Sequence, residues 1–159
     1  MKRVFDFFLS FFGLIILSPL ILIFFILIWL QDFKNPFYIA SRVGINGIPF
    51  NMIKFRSMII DASASGVDST ASNDKRITAI GKIVRKFKID EIPQLFNVLV
   101  GEMSFVGPRP NVERETKMYS VVEKKILSIR PGITDFSSII FSDEGDILEG
   151  SNDPALKYN

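Results

Sequence analysis

Between Val4 and Leu30 the chain carries a single charged residue, Asp6. Wound as a helix, that run of about 27 residues would reach roughly 40 Å, more than the roughly 30 Å hydrocarbon core of a bilayer. The segment is therefore expected in a membrane. A cleavable signal peptide has a shorter apolar region, of about 7 to 15 residues, and no small-residue cleavage site follows this run. Ser18-Pro19 falls near its centre, where proline removes an intrahelical hydrogen bond and bends the helix. Lys2 and Arg3 precede the run and Lys34 follows it, and basic flanks are normally held in the cytoplasm. A helix that enters, turns at Ser18-Pro19 and leaves on the same side keeps both flanks there, making residues 1–33 a re-entrant membrane hairpin. A kinked single-pass helix is the competing topology.

The apolar excess behind a mean hydropathy of +0.29 is concentrated in that segment, and the remainder is polar enough for one small domain. A net charge of +2 conceals a bias: Lys54, Arg56, Lys75, Arg76, Lys82, Arg85, Lys86 and Lys88 lie within the first two-thirds of the chain. Such a basic face suits anionic lipid head groups, with Lys2 and Arg3 as candidate contacts, or phosphorylated substrates; nucleic acid is not expected. The chain has no His and no Cys. Imidazole bases, thiolate nucleophiles and Cys/His zinc sites are thereby excluded, leaving carboxylates, amines, guanidiniums and hydroxyls, with Mg²⁺ as the natural metal.

Phe37–Ala40 and Ile48–Phe55 read as short strands around the turn Gly44-Ile45-Asn46-Gly47. Asp61 to Asp74 lacks periodicity and reads as a loop. Ile77, Ile80, Ile83, Val84 and Phe87 recur at helical spacing, and Asp90 is placed to cap a following helix with Pro93 in its first turn and Gly101 at its end. Phe105 to Pro110 reads as a rigid loop around Arg109, and Glu113 to Leu127 as one helix stopped by Arg130-Pro131-Gly132. The expected class is α+β, mainly α with a small β element.

Asp90-Glu91 is the strongest candidate for chemistry. One carboxylate could attack phosphorus while its neighbour holds Mg²⁺ against phosphate oxygens; alternatively, both merely satisfy a helix N-terminus. Arg109, enclosed by two prolines, is presented for bidentate phosphate contact or for a surface ion pair. Lys54 and Arg56 alternate on one face of a strand and could grip a pyrophosphate or line a solvated edge. Arg76 and Arg130 are weaker candidates of the same kind.

Taken together, Lys54-Phe55-Arg56-Ser57-Met58, Asn73-Asp74-Lys75-Arg76-Ile77-Thr78, Asp90-Glu91-Ile92-Pro93-Gln94-Leu95-Phe96-Asn97-Val98, Gly101 to Pro110 and Arg130-Pro131-Gly132-Ile133-Thr134 stand in the order seen in bacterial sugar transferases. The chain resembles the monotopic polyprenyl-phosphate phosphoglycosyl transferases of that family. The resemblance implies transfer of a phosphosugar from a UDP-sugar to undecaprenyl phosphate on the cytoplasmic face of a bacterial inner membrane. It implies ping-pong catalysis, with Asp90 as covalent nucleophile, Glu91 as Mg²⁺ ligand, and Lys54 and Arg109 among the phosphate-handling residues. It also favours the hairpin at Ser18-Pro19, and leaves a homo-oligomer open. Residues 34–142 then form the cytoplasmic catalytic domain and 143–159 an acidic tail, in place of the C-terminal helices the family commonly adds. Asp135-Phe136-Ser137-Ser138 departs from the family's usual Gly-Trp continuation. The rival from another class is a membrane-anchored, lipid-binding scaffold or regulatory module without catalysis.

Overall fold

The apolar run forms one helix, α1 (Lys2–Leu30), which stays helical across Pro19. Proline at 19 has no N–H for the Ile15 carbonyl four residues back, and Ser18 Oγ donates to that same carbonyl at 2.7 Å. The serine thus serves the acceptor that its neighbour leaves unserved. The structure, a computed structural model, describes residues 1–62 and 74–135. One stripe of α1 is covered from end to end: Asp6, Ser10 and Ile28 are buried, with Gly13, Leu14, Leu17, Ile21 and Phe24 half-buried between them. The opposite face is bare, with Ile16 73% and Leu22 58% exposed.

A hairpin follows, as the alternation of apolar residues demands. β1 (Phe37–Val43) pairs antiparallel with β2 (Pro49–Phe55), Tyr38 facing Lys54 and Val43 facing Pro49. The connection is a 3₁₀ turn over Ile45–Gly47 in which Asn46 and Gly47 both adopt positive φ. α2 (Ala79–Lys86) starts at Thr78, whose Oγ1 accepts from Gly81 N at 2.9 Å. A β-carbon on Gly81 would lie 1.9 Å from the Ser57 carbonyl oxygen, so only glycine lets α2 pack this close to the end of the hairpin. α3 (Gln94–Val100) ends at Gly101, with φ of 95°. Beyond it, β3 (Ser104–Val106) pairs parallel with β4 (Gly132–Thr134), and α4 (Glu113–Lys117) lies between them in sequence.

Two apolar clusters hold these parts. Ala40, Phe50, Met52, Val98 and Met103 bury the hairpin against α3. Ile28, Phe55 and Val84 join α1, β2 and α2, with Ile89 packed against them beside Asp90. Asn97, 1% exposed, ties the first assembly: its Oδ1 accepts from Ile53 N at 3.0 Å, and its Nδ2 donates to Asn51 O at 2.8 Å and Glu102 Oε2 at 2.6 Å. An amide side chain here does what a third strand would do for β2.

The helix-rich α+β class agrees with the expectation, and three local details differ. Asp90 is not a helix cap: Lys88 takes a left-handed conformation (φ 54°), Ile89–Glu91 make a 3₁₀ turn, and α3 begins after Pro93 with no side-chain cap. Phe105 and Val106 belong to β3 rather than to the loop around Arg109. The helix expected over Glu113–Leu127 is broken, because Ser120 and Glu123 form a reciprocal capping box. Ser120 N donates to Glu123 Oε2 at 2.7 Å and Glu123 N to Ser120 Oγ at 3.3 Å, starting a separate 3₁₀ segment, Glu123–Ser128. Most of the loop expected over Asp61–Asp74, and the tail 143–159, lie outside the described residues.

Candidate active site

Lys54, near the end of β2, and Glu91, at the end of the 3₁₀ turn, meet at 3.0 Å from Nζ to Oε1. Both side chains are about a quarter exposed (21% and 27%), so the pair sits at a surface without being fully solvated. Asp90 next to it is more enclosed. Its Oδ1 is buried and accepts no hydrogen bond from the protein. Leaving a buried acceptor unsatisfied costs about 1–3 kcal/mol, and such atoms concentrate where a chain binds or reacts. Burial raises the Asp90 pKa above the ordinary aspartate value; the Lys54 charge opposes that, Glu91 reinforces it, and Arg85 opposes it again. A poorly solvated carboxylate with one oxygen lacking a donor, under the charges of Lys54 and Arg85, has little solvation to shed on meeting an electrophile.

Among the described residues no group of three or more acidic side chains converges to cage a metal. Mg²⁺ needs none: it keeps several waters and is commonly held by one or two carboxylates together with substrate phosphates. The Asp90-Glu91 pair, one oxygen of it without a protein donor, fits that mode of binding.

The candidate arginines have other partners in the structure. Arg56 Nη2 lies 2.6 Å from Asp32 Oδ1, just beyond α1, and this pair holds the Asp32 carboxyl below its usual pKa, while Arg56 Nη1 is buried without an acceptor. Arg76 binds Asp74 at 2.6 Å and the Ala62 carbonyl at 2.9 Å, and the Asp74 carboxyl is lowered by that contact. Arg130 Nε donates to the Gly101 carbonyl. Arg109 is exposed on the wall of a cleft of about 250 Å³, including open solvent, that also touches Val43, Asn111 and Tyr119. Val43 is five residues along β1 from Tyr38, the partner of Lys54, or roughly 17 Å of strand. Lys2 and Arg3 hydrogen-bond to the domain itself, at Ser104, Val106, Val98 and Leu99.

The structure thus brings Lys54, Asp90 and Glu91 together. It adds Arg85, whose charge acts on Asp90 from the last turn of α2, and Asn97, which locks α3 to the strand bearing Lys54. Arg85 had a signal in the sequence, as one of the cations of a basic helix leading to Asp90; Asn97 had none beyond its place in the motif, because an edge-strand mimic is visible only in three dimensions.

A family model described as bacterial sugar transferase matches residues 1–152. The chain is 49% identical over 109 residues to a Bacillus subtilis protein named putative undecaprenyl-phosphate N-acetylgalactosaminyl 1-phosphate transferase, covering 69% of this chain and 61% of that protein. It is 38% identical over 148 residues to the exopolysaccharide production protein ExoY of Sinorhizobium fredii, covering 84% and 66%. With the UDP-glucose:undecaprenyl-phosphate glucose-1-phosphate transferase of Klebsiella pneumoniae it shares 36% identity over 152 residues, 93% of this chain and 33% of that protein. The chain therefore spans less than two thirds of the length of these relatives. With its ordered motifs, a matching family model and these identities, the chain belongs to the bacterial sugar transferase family.

Proposed function

We propose that the chain carries the catalytic centre of a phosphoglycosyl transferase that moves a phosphosugar from a UDP-sugar to undecaprenyl phosphate, the initiating step of surface glycoconjugate assembly. The unsatisfied, buried carboxylate oxygen of Asp90 carries this reading. Asp90 Oδ attacks the sugar-bearing phosphorus; the bond from that phosphorus to the bridging oxygen breaks, and UMP leaves with the bond electrons. The phosphosugar is now an acyl phosphate on Asp90. An oxygen of the lipid phosphate then attacks the same phosphorus, releasing the carboxylate and forming a diphosphate-linked lipid sugar. Lys54 keeps Asp90 ionised and, with Arg85, offsets the negative charge that two phosphates bring to the turn. Glu91 would hold Mg²⁺, which would supply positive charge against the phosphates in the site.

A monotopic position on the cytoplasmic face is supported by the docking of α1. Both its first turn (Lys2, Arg3, Asp6) and its last (Ile28) bind the same small domain, which a helix crossing the bilayer would have to present on both sides of roughly 30 Å of hydrocarbon. Ser18 and Pro19, expected from the sequence as the point of return, lie inside the continuous helix α1. The relatives' names carry different sugars, N-acetylgalactosamine and glucose, so a panel of UDP-sugars is the appropriate substrate set.

The test is incubation in nanodiscs with Mg²⁺ and that panel, reading UMP release and intact mass. A phosphosugar adduct present in the parent and absent in Asp90→Asn supports the mechanism. Full UMP release by Asp90→Asn overturns it, and no release with any UDP-sugar favours a non-catalytic scaffold.

A further inference from the structure

Two arginines from distant parts of the chain meet the C-terminal end of α3. Arg3 Nη1 donates to the Val98 carbonyl and Arg3 Nη2 to that of Leu99, the latter at 2.7 Å, while Arg130 Nε donates to the Gly101 carbonyl at 2.8 Å. The last carbonyls of a helix have no partners within it and form the negative pole of its dipole, so guanidiniums suit them. The fit is close: a β-carbon on Gly101 would come within 2.9 Å of Arg3 Nη2. The first turn of α1 is secured beside it, with Asp6, 3% exposed, accepting from Ser104 Oγ at 2.9 Å, and Lys2 donating to that hydroxyl and to the Val106 carbonyl. A carboxylate so enclosed faces protein, not head groups.

The other end of α3 leads straight back to the dyad. Leu95 N donates to Ile92 O, and Ile92 N to Ile89 O, so the turn bearing Asp90 and Glu91 is continuous with the helix. Seven residues of helix are about 10 Å long, and a rigid rod that short passes any tilt at one end to the other.

We propose that Arg3 and Arg130 are positioning residues: clamping the C-terminal end of α3, they hold the Asp90-Glu91 turn within reach of Lys54, so that seating the membrane anchor and aligning the active centre are one event. This rests on the catalytic reading of Asp90, but the clamp has a readout of its own. In nanodiscs of phosphatidylethanolamine and phosphatidylglycerol, amide hydrogen exchange over residues 89–92 is compared for the parent, Arg3→Met, Arg3→Lys and Arg130→Met. Exchange there should rise about tenfold in both methionine variants and less in Arg3→Lys, which keeps the charge but loses the fork. UMP-release kcat should fall about tenfold with KM for the UDP-sugar within about twofold, and the acid limb of the pH profile should move to higher pH as Lys54 loses its hold on the turn. Unchanged exchange over 89–92 in both methionine variants overturns the clamp, as does an Arg3 effect confined to the membrane-bound fraction. If Arg3→Met fails to fold, Arg3→Lys and Arg130→Met decide by the same measures. If the parent releases no UMP, the catalytic reading fails while exchange still judges the clamp.

Discussion

Asp90 occupies a place where its charge is unfavourable to folding. Its pKa in the folded chain lies above the unfolded value, so the native state binds the extra proton between the two. Stability therefore falls as pH rises through that window and stays lower at neutral pH. Asp90→Asn should raise Tm at pH 7 in detergent or nanodiscs, with the gain vanishing below pH of about 3, where both states are protonated. The same variant should lose at least about 10³-fold in UMP release, since an amide is no nucleophile. In the proposed mechanism the ionised carboxylate attacks, so activity should climb with pH through the raised value. Lys54→Gln removes the largest influence lowering it, and the acid limb of kcat/KM should shift to higher pH along with a reduced plateau. Asp90, Glu91 and Lys54, the candidates that the fold brings together, were all named from the sequence, because the exclusion of His and Cys leaves few groups able to act. The partners of Arg56, Arg76 and Arg130 were not: an arginine's reach of several ångströms allows many acceptors, and only packing selects among them.

At the scale of elements, the hairpin, α2 and the Gly101 stop followed from periodicity and from glycine. The breaks did not. A capping box at Ser120 and Glu123 outweighed the continuous polar-apolar pattern of the stretch from Glu113 to Leu127, and a left-handed Lys88 displaced Asp90 from the cap it could have formed. That displacement matters for function, since a capping aspartate gives its oxygen to a backbone N–H, whereas Asp90 Oδ1 is left without one. Asn97 is the joint between the elements that carry Lys54 and the dyad. Asn97→Ala removes three side-chain hydrogen bonds in a buried position and should cost about 2–4 kcal/mol by urea denaturation. Activity should fall with it, as β2 and α3 lose their common tie. Asn97→Asp, matched in shape but unable to donate to Asn51 O and Glu102, should not rescue it.

For the whole molecule, the arrangement of α1 decides how the chain meets a membrane. A cysteine added before Met1 and another at Lys34→Cys should both resist an impermeant thiol reagent on intact cells and both react after permeabilisation. Labelling of one end alone in intact cells would refute the monotopic arrangement. That this chain carries a membrane segment, and that its chemistry falls to carboxylates and cations, was determined by composition and order: about 27 apolar residues exceed the bilayer core, and absent side chains cannot be supplied by folding. The seating of that segment was decided by tertiary structure alone. Lys2 and Arg3 look from the sequence like lipid contacts, since a basic pair before an apolar helix suits head groups. In the fold they meet carbonyls of α3 and β3, because backbone acceptors at a helix C-terminal end and a strand, beside a docked helix end, bind a cation in a way that no linear pattern announces.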